Sequence, residues 1–527
     1  MIEIAFRPDR ASDVAVHRQL AEHLAALIAT GRLAGGAKLP ASRELAFALG
    51  IARNTVTQAY EQLVVQGRLR AHVGQGTFVA QHGSAGDAAR GGAPAARAFA
   101  WDGLFSRRAR GLRMPGGRLS DVAGSFPFDF RAGQVDAGSL PAKDVRWALA
   151  QAASAGKLPA IATHRDARGW PPLRREIARW LVVRGIACDP DDVLVVAGAQ
   201  QAIDLAARVL VDPGDAVVLE QPGYFGAALA FRAAAADLVG IGVDDEGLRT
   251  EELARLLAVR AAKLVYVTPA TQCPTGVALS ERRRGELLEL ADRHQTPILE
   301  DDYDSELRYG GPPLPALKSV DAAGQVIYAG TFSKILFPSI RVGYLVAAGP
   351  LRAKLLLART AADFGTGVVE QAALATLLRT RGLERHLRRM RRIYADRLAA
   401  MLAALARAMP EGTRWSEPRS GHLVWVTLPP GADGNRIFES ALGRGVAYLR
   451  GDLFFTDGRG AESLPLSFAS LSAERIAEGV EVLGGIVRAS LRPRGMRSGR
   501  PLRARAPAIP LSPRKEVHDP RQKGRQQ

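Results

Sequence analysis

Residues 326–344, VIYAGTFSKILFPSIRVGY, constrain the chain more than any other stretch. A β-rich apolar run, 326–329, stops at Gly330. Thr331, Ser333 and Lys334 follow at once, and Arg341 comes seven residues after the lysine. Hydroxyls, an amine and a guanidinium gathered at the end of a buried strand point to an anion. A lysine so placed can form an imine with an aldehyde, while the hydroxyls and the arginine hold a phosphate. A lone Ser-Lys would read as an exposed loop, and four further loops of similar character decide against that.

Beyond residue 115, β-rich segments alternate with helical ones, the pattern of a mostly parallel sheet with helices on both faces. Residues 193–197 lead into GAQQAIDLAARVL, 217–219 into EQPGYFG, 264–268 into PATQCPTG, Ile298 and Leu299 into EDDYD, and 326–329 into TFSK. In such sheets the ligand lies off the carboxyl ends of the strands, so the five loops meet at one crevice. Their chemistry fits pyridoxal 5'-phosphate. Asp301 can keep a pyridine nitrogen protonated, Tyr303 can reach the ring oxygen, Tyr224 can stack on the ring, and Lys334 supplies the imine. Thr331, Ser333, Arg341 and the Ala199–Gln200 turn, at the start of a helix with free N–H groups, supply phosphate ligands. Taken singly, each residue has a structural explanation: a cap or ion pair for Asp301, a packed aromatic for Tyr224, a surface ion pair for Arg341.

At 527 residues the chain suits two to four domains. Its apolar runs are broken by polar residues, so no membrane span is expected, and MIEIAFRPDR lacks the apolar core of a signal peptide. Two cysteines, Cys188 and Cys273, argue against a disulfide framework or a zinc cluster and suit a reducing cytoplasm. The net charge of +18 is uneven, since residues 488–527 hold twelve Lys or Arg against two Asp or Glu. That tail is expected to be disordered, either adding non-specific attraction to nucleic acid or serving as a solvated extension. Residues 81–115 open with a Gly/Ala/Ser-rich stretch and read as a flexible linker between a domain at 1–80 and one at 116–487.

In the first eighty residues, Val16, Leu20, Leu24, Leu27 and Ile28 form one helical stripe ending before Gly31. A second helix fits 42–49, stopped by Gly50, and a third fits 53–66, stopped by Gly67. The outer face of the third offers Arg53, Asn54, Thr55 and Thr57 near its start, the kind of short polar and cationic groups that read a major groove. RLRAHVGQGTFVA then forms a hairpin. Residues 12–80 resemble the winged helix-turn-helix of GntR-family regulators. By that resemblance Arg43, Arg53 and Thr55 touch double-stranded DNA, and Gly74, Gln75 and Gly76 form the wing tip; Asn54 and Thr57 join them from the reading of the helix face.

From Phe128 to Val487 the chain resembles the fold type I, aspartate-aminotransferase-like enzymes. Joined to the winged helix, this resembles the MocR/PdxR subfamily. The resemblance implies a head-to-tail homodimer with the cofactor site at the subunit interface. It also implies that His164 stands where the family has a tyrosine reaching the phosphate from the partner subunit. Other positions depart from the family pattern. Cys273 replaces an Asn before Pro-Thr-Gly, Thr271-Gln272 replaces His-Gln, and SLPLSFASLS puts Pro465 where an arginine grips the substrate carboxylate. Arg450 is the nearby candidate to substitute. The favoured reading is a regulator sensing pyridoxal phosphate or a pyridoxal phosphate–amine adduct. The alternatives are an active aminotransferase carrying a DNA-binding module and a cofactor-free domain that only dimerises.

Overall fold

The computed structural model describes residues 14–72, 76–80, 104–112, 124–309, 314–347 and 349–491, together with positions 4, 6, 8, 9, 101 and 311. The chain divides into two units, Met1–Leu104 and Phe105–Gln527. Most of the 81–115 span, and the basic tail beyond 491, fall outside the described residues, as do Gly74 and Gln75. A short helix, Arg107–Gly111, lies inside the 81–115 span and packs against the helix at Phe225–Ala233 of the second unit.

The first unit is built from α1 (Val16–Ala29), α2 (Ser42–Leu49), α3 (Arg53–Val65), β1 (Leu69–His72) and β2 (Gly76–Val79). Leu20, Leu24 and Leu27 of α1 fall at three- and four-residue spacing and pack with Val56, Tyr60 and Leu63 of α3 in one apolar core. Each fully buried leucine contributes about 1.5–3 kcal/mol. Gly50, in the left-handed conformation (φ +62°), ends α2. The α3 helix stops one residue short of the span read from the sequence. The strands pair antiparallel, with Leu69 opposite Val79 and His72 opposite Gly76.

The second unit is organised by an eight-stranded sheet. In chain order its strands are β3 (Val193–Val196), β4 (Ala216–Gln221), β5 (Asp237–Asp244), β6 (Gly247–Leu248), β7 (Leu264–Val267), β8 (Ile298–Asp302), β9 (Val326–Thr331) and β10 (Gly343–Val346). Their spatial order is β3-β10-β9-β8-β7-β4-β5-β6. Strands β9, β8, β7, β4 and β5 are mutually parallel. β10 runs antiparallel between β3 and β9, and β6 antiparallel to β5. Alternation sends Leu194 and Val196 into one apolar layer and Val193 and Val195 into the other. The first layer is covered by α4 (Ala199–Leu210) and α5 (Phe225–Ala233). The opposite face is covered in part by α6 (Glu281–Arg293). Burial on both faces explains why these strands read as nearly unbroken apolar runs.

β9 and β8 run further than the apolar pattern indicates. β9 continues through Gly330 to Thr331, paired with Tyr344 and Gly343 of β10, and the glycine leaves room for the Tyr344 ring, which a Cβ there would meet at 2.3 Å. β8 continues through Glu300, Asp301 and Asp302, all buried. A smaller sheet of β11 (Arg414–Trp415), β12 (Leu423–Thr427) and β13 (Ser463–Ser467) follows, with α7 (Gly382–Ala408) packed on α8 (Ala473–Leu491). Pro465 sits opposite Trp425 on β13, an outer strand of that sheet, where a missing N–H is tolerated.

Candidate functional site

The carboxyl ends of β3, β4, β7, β8 and β9 open onto one cavity of ≈ 190 Å³. Ala199, Gln200, Tyr224, Asp301, Tyr303, Thr331, Ser333, Lys334 and Arg341 all line it, so the residues expected to hold a cofactor within one chain come together. His164 does not line it. That side chain stands edge-on to Trp170, with ring centroids 5.2 Å apart and its Nε2 buried without a partner.

At one end, the start of α4 carries no side-chain cap, leaving its first N–H groups toward the cavity end of the strands. Gly198 (φ +86°) precedes it, and a Cβ there would lie 3.2 Å from the Arg341 guanidinium, which donates to the Ala197 carbonyl. The Thr331 hydroxyl donates to Ser333 Oγ at 3.1 Å. Backbone amides, two hydroxyls and a guanidinium in one corner have the chemistry a phosphate would need.

At the opposite wall Asp301 Oδ2 accepts from the Tyr266 hydroxyl at 2.7 Å, while its Oδ1 is buried with no partner. An unsatisfied carboxylate oxygen on a cavity wall fits a ring N–H. Burial pushes Asp301 up to about 7, and the Tyr266 bond opposes that rise. Burial also pushes the Lys334 amine below its ordinary value, although Asp304 and Asp301 favour the ammonium. A neutral amine is the form that attacks an aldehyde. The Tyr224 hydroxyl donates to Gln200 Oε1 at 3.1 Å, which steadies its ring beside the cavity. Phe225 and Phe454 complete an apolar wall, edge-on at 5.6 Å. The residues present therefore fit pyridoxal phosphate, which supplies an aldehyde and an electron-withdrawing ring. Lys334 would hold the aldehyde carbon, Asp301 the ring nitrogen, and Thr331, Ser333 and Arg341 the phosphate.

These protonation states set a pH dependence. Asp301 must give up its proton to accept from a ring N–H, and its ordinary carboxylate form is recovered only above about pH 7. Cofactor affinity is expected to rise about tenfold from pH 6 to 8 by proton linkage. Asp301→Asn should flatten that rise, read by fluorescence titration with pyridoxal 5'-phosphate.

Several lining residues carried no signal as site residues in the sequence: Ala132, Gly133, Phe225, Pro338, His422, Leu423 and Phe454. His422 comes from the strand entry at β12, more than eighty residues after Lys334. The position of Cys273 is as expected, and burial pushes its thiol up, so it stays neutral. Pro465 and Arg450 do not line the cavity; Arg450 pairs with Asp452 and lies over the Phe438 ring at 5.8 Å.

In the first unit, Arg43, Arg53, Asn54 and Gly76 are exposed, while Thr55 and Thr57 are half-buried. Arg53 Nε lies 3.5 Å from Ser42 Oγ, and the Thr57 hydroxyl donates to the Arg53 carbonyl at 3.1 Å. Arg43 and Arg53 thus stand on neighbouring helices beside the uncapped start of α3. Gly76 (φ +113°) follows the hairpin turn and leaves room for Lys38, whose Cε would be 2.9 Å from a Cβ there.

Fold and site together define an aminotransferase-like cofactor domain behind a winged DNA-binding domain. Residues 128–483 match the family model for aminotransferase class I and II, and residues 17–79 that for bacterial regulatory proteins of the gntR family. The probable rhizopine catabolism regulatory protein MocR of Rhizobium meliloti is 33% identical over 482 residues, 90% of this chain and 94% of that protein. Aromatic-amino-acid aminotransferase 1 of Thermococcus litoralis is 37% identical over 331 residues, 62% of this chain and 79% of that one. Among solved structures, LysN, the alpha-aminoadipate aminotransferase of Thermus thermophilus, has a TM-score of 0.70 at 32% identity, covering 75% of this chain and 99% of its own. The chain belongs to the MocR-type regulators, in which a gntR-family DNA-binding domain precedes a class I and II aminotransferase domain. Among the described residues no helix is long and apolar enough to cross a membrane.

Proposed function

We propose that this protein is a pyridoxal phosphate-responsive transcription regulator. The cofactor, alone or joined to a primary amine, occupies the Lys334 cavity and shifts the geometry of a head-to-tail homodimer. That shift changes how two winged helices engage paired half-sites in promoter DNA. Arg43, Arg53, Asn54, Thr55 and Thr57 read or anchor the duplex, and the wing around Gly76 follows the backbone. His164 serves the phosphate of the partner's site. The compartment is the one that holds the DNA, the cytoplasm.

The observation that carries this reading is a cofactor cavity lined by the expected residues but lacking a guanidinium for a substrate carboxylate. Pro465 is apolar, Arg450 is engaged by Asp452, and the one arginine lining the cavity among the described residues, Arg341, lies at the phosphate end. A bidentate arginine–carboxylate pair contributes about 1.5–3 kcal/mol, and its loss weakens the grip on amino-acid substrates. The intact Lys334 and Asp301 favour one competing reading, an active aminotransferase. Amino-group transfer to 2-oxoglutarate separates the two. Turnover is expected well below the roughly 1–10³ s⁻¹ of ordinary enzymes, and a rate within that range would establish the enzyme instead.

A further inference from the structure

Next to the cavity lies a carboxyl group that cofactor binding leaves unexplained. Asp304 is 1% exposed, and neither of its carboxylate oxygens has a hydrogen-bond partner. Its Oδ2 lies 3.5 Å from Nδ1 of His422, a residue that lines the cavity. The Thr271 hydroxyl pairs with Ser420 at 2.6 Å and is also close enough to oppose the rise of the Asp304 carboxyl. A buried carboxyl without a partner is costly, and it calls for a donor or cation or for loss of its charge.

The surrounding charges show which kind of ligand would meet that need. Asp301 Oδ1 is also unpartnered, and Asp304, Asp301 and the buried Glu220 all lie within electrostatic reach of the Cys273 thiol. Burial pushes His422 down to about 3, so it brings no positive charge near neutral pH. Burial and the Asp302 charge push the Asp304 carboxyl well above its ordinary value. The Lys334 amine opposes that rise, cofactor attachment takes the amine away, and a ligand ammonium in its place would favour the carboxylate again. Arg341 is held over Gly198 at the phosphate end, and Arg450 is held by Asp452. A ligand carboxylate would therefore meet buried carboxyl groups, whereas a ligand ammonium would meet a partner.

We infer that the Lys334 cavity takes a second amino group at its His422 wall, against the Asp304–His422 pair, so the amine that joins the cofactor is a diamine rather than an amino acid. This inference rests on the cofactor reading above. One ligand nitrogen forms the C=N bond to the cofactor carbon as the bond to Lys334 Nζ breaks, and its two protons pass to that nitrogen. No oxidant or reductant is consumed. The other ligand nitrogen, as an ammonium, donates at the wall formed by His422, where Asp304 Oδ2 lies 3.5 Å from Nδ1.

The test uses the full-length, cofactor-loaded protein and three four-carbon probes: 1,4-diaminobutane, 4-aminobutanoate and butylamine. The readout is the visible absorbance of the bound cofactor, together with affinity by calorimetry. 1,4-Diaminobutane is expected to act at about tenfold lower concentration than either other probe. Asp304→Asn should bring the three within about twofold while the cofactor absorbance remains. His422→Gln, a milder change, should narrow the preference in the same direction. Equal or tighter binding of 4-aminobutanoate, or an unchanged preference in both variants, would overturn the inference and leave the cofactor reading intact. A wild-type protein with no cofactor absorbance overturns the cofactor reading, and this inference with it.

Discussion

Lys334→Ala is expected to abolish the visible absorbance that pyridoxal 5'-phosphate gives when bound to this protein. Among the described lining residues no other carries the primary amine that an imine needs: Ser333 and Thr331 are hydroxyls, Cys273 is a buried thiol and Arg341 is a guanidinium. What remains is the phosphate corner and the Asp301 wall, so the cofactor should bind on the order of 100-fold more weakly, about 2.7 kcal/mol, and dialyse away. Lys334→Arg separates charge from chemistry. It restores a cation beside Asp301 and Asp304 but not a nucleophilic amine, so it should also lack the band. Absorbance spectra and fluorescence titration on the two variants check this. A band that survives in Lys334→Ala would mean that the cofactor sits elsewhere.

Arg53→Ala should have the opposite profile, with cofactor absorbance unchanged and DNA affinity reduced. Arg53 is exposed at the first position of α3, in the unit Met1–Leu104, while the cofactor cavity lies wholly in the second unit. If it reads a base edge, its loss costs about 1–3 kcal/mol and relaxes preference at one position of the operator. If it contacts phosphate, all sequences weaken together and the salt dependence falls by about one unit. Titration at two fixed salt concentrations, with matched and mutated operators, distinguishes the two. An Arg53→Ala protein that binds DNA as well as the original would remove α3 from the interface.

Much of this was visible in the residues, for a physical reason. The TFSK and GAQQ loops carry their chemistry within a few positions of a strand end, so local order along the chain is also local order in space. The winged unit is likewise built from near-neighbour contacts, and its α2 and α3 spans agree to within a residue. What escaped depends on distant partners. Glu300, Asp301 and Asp302 look like a polar loop in the sequence but are strand. Their carboxyls are met by the Leu317 and Lys318 N–H groups at 2.9 Å, by Tyr266 at 2.7 Å, and by Arg184 and Tyr328 at 2.6 Å. A run of three acids reads as buried only once those partners are known. His422 and Asp304 escaped for the same reason, since one belongs to the smaller sheet region and the other follows β8.

The cofactor is expected to change DNA binding. The most direct test is the affinity of the cofactor-free and cofactor-loaded protein for the DNA upstream of its own gene, at fixed salt. A coupling free energy of about 1–3 kcal/mol predicts a 5- to 150-fold difference, and by reciprocity the DNA should shift cofactor affinity by the same factor. Identical DNA affinity in the two states would contradict the account.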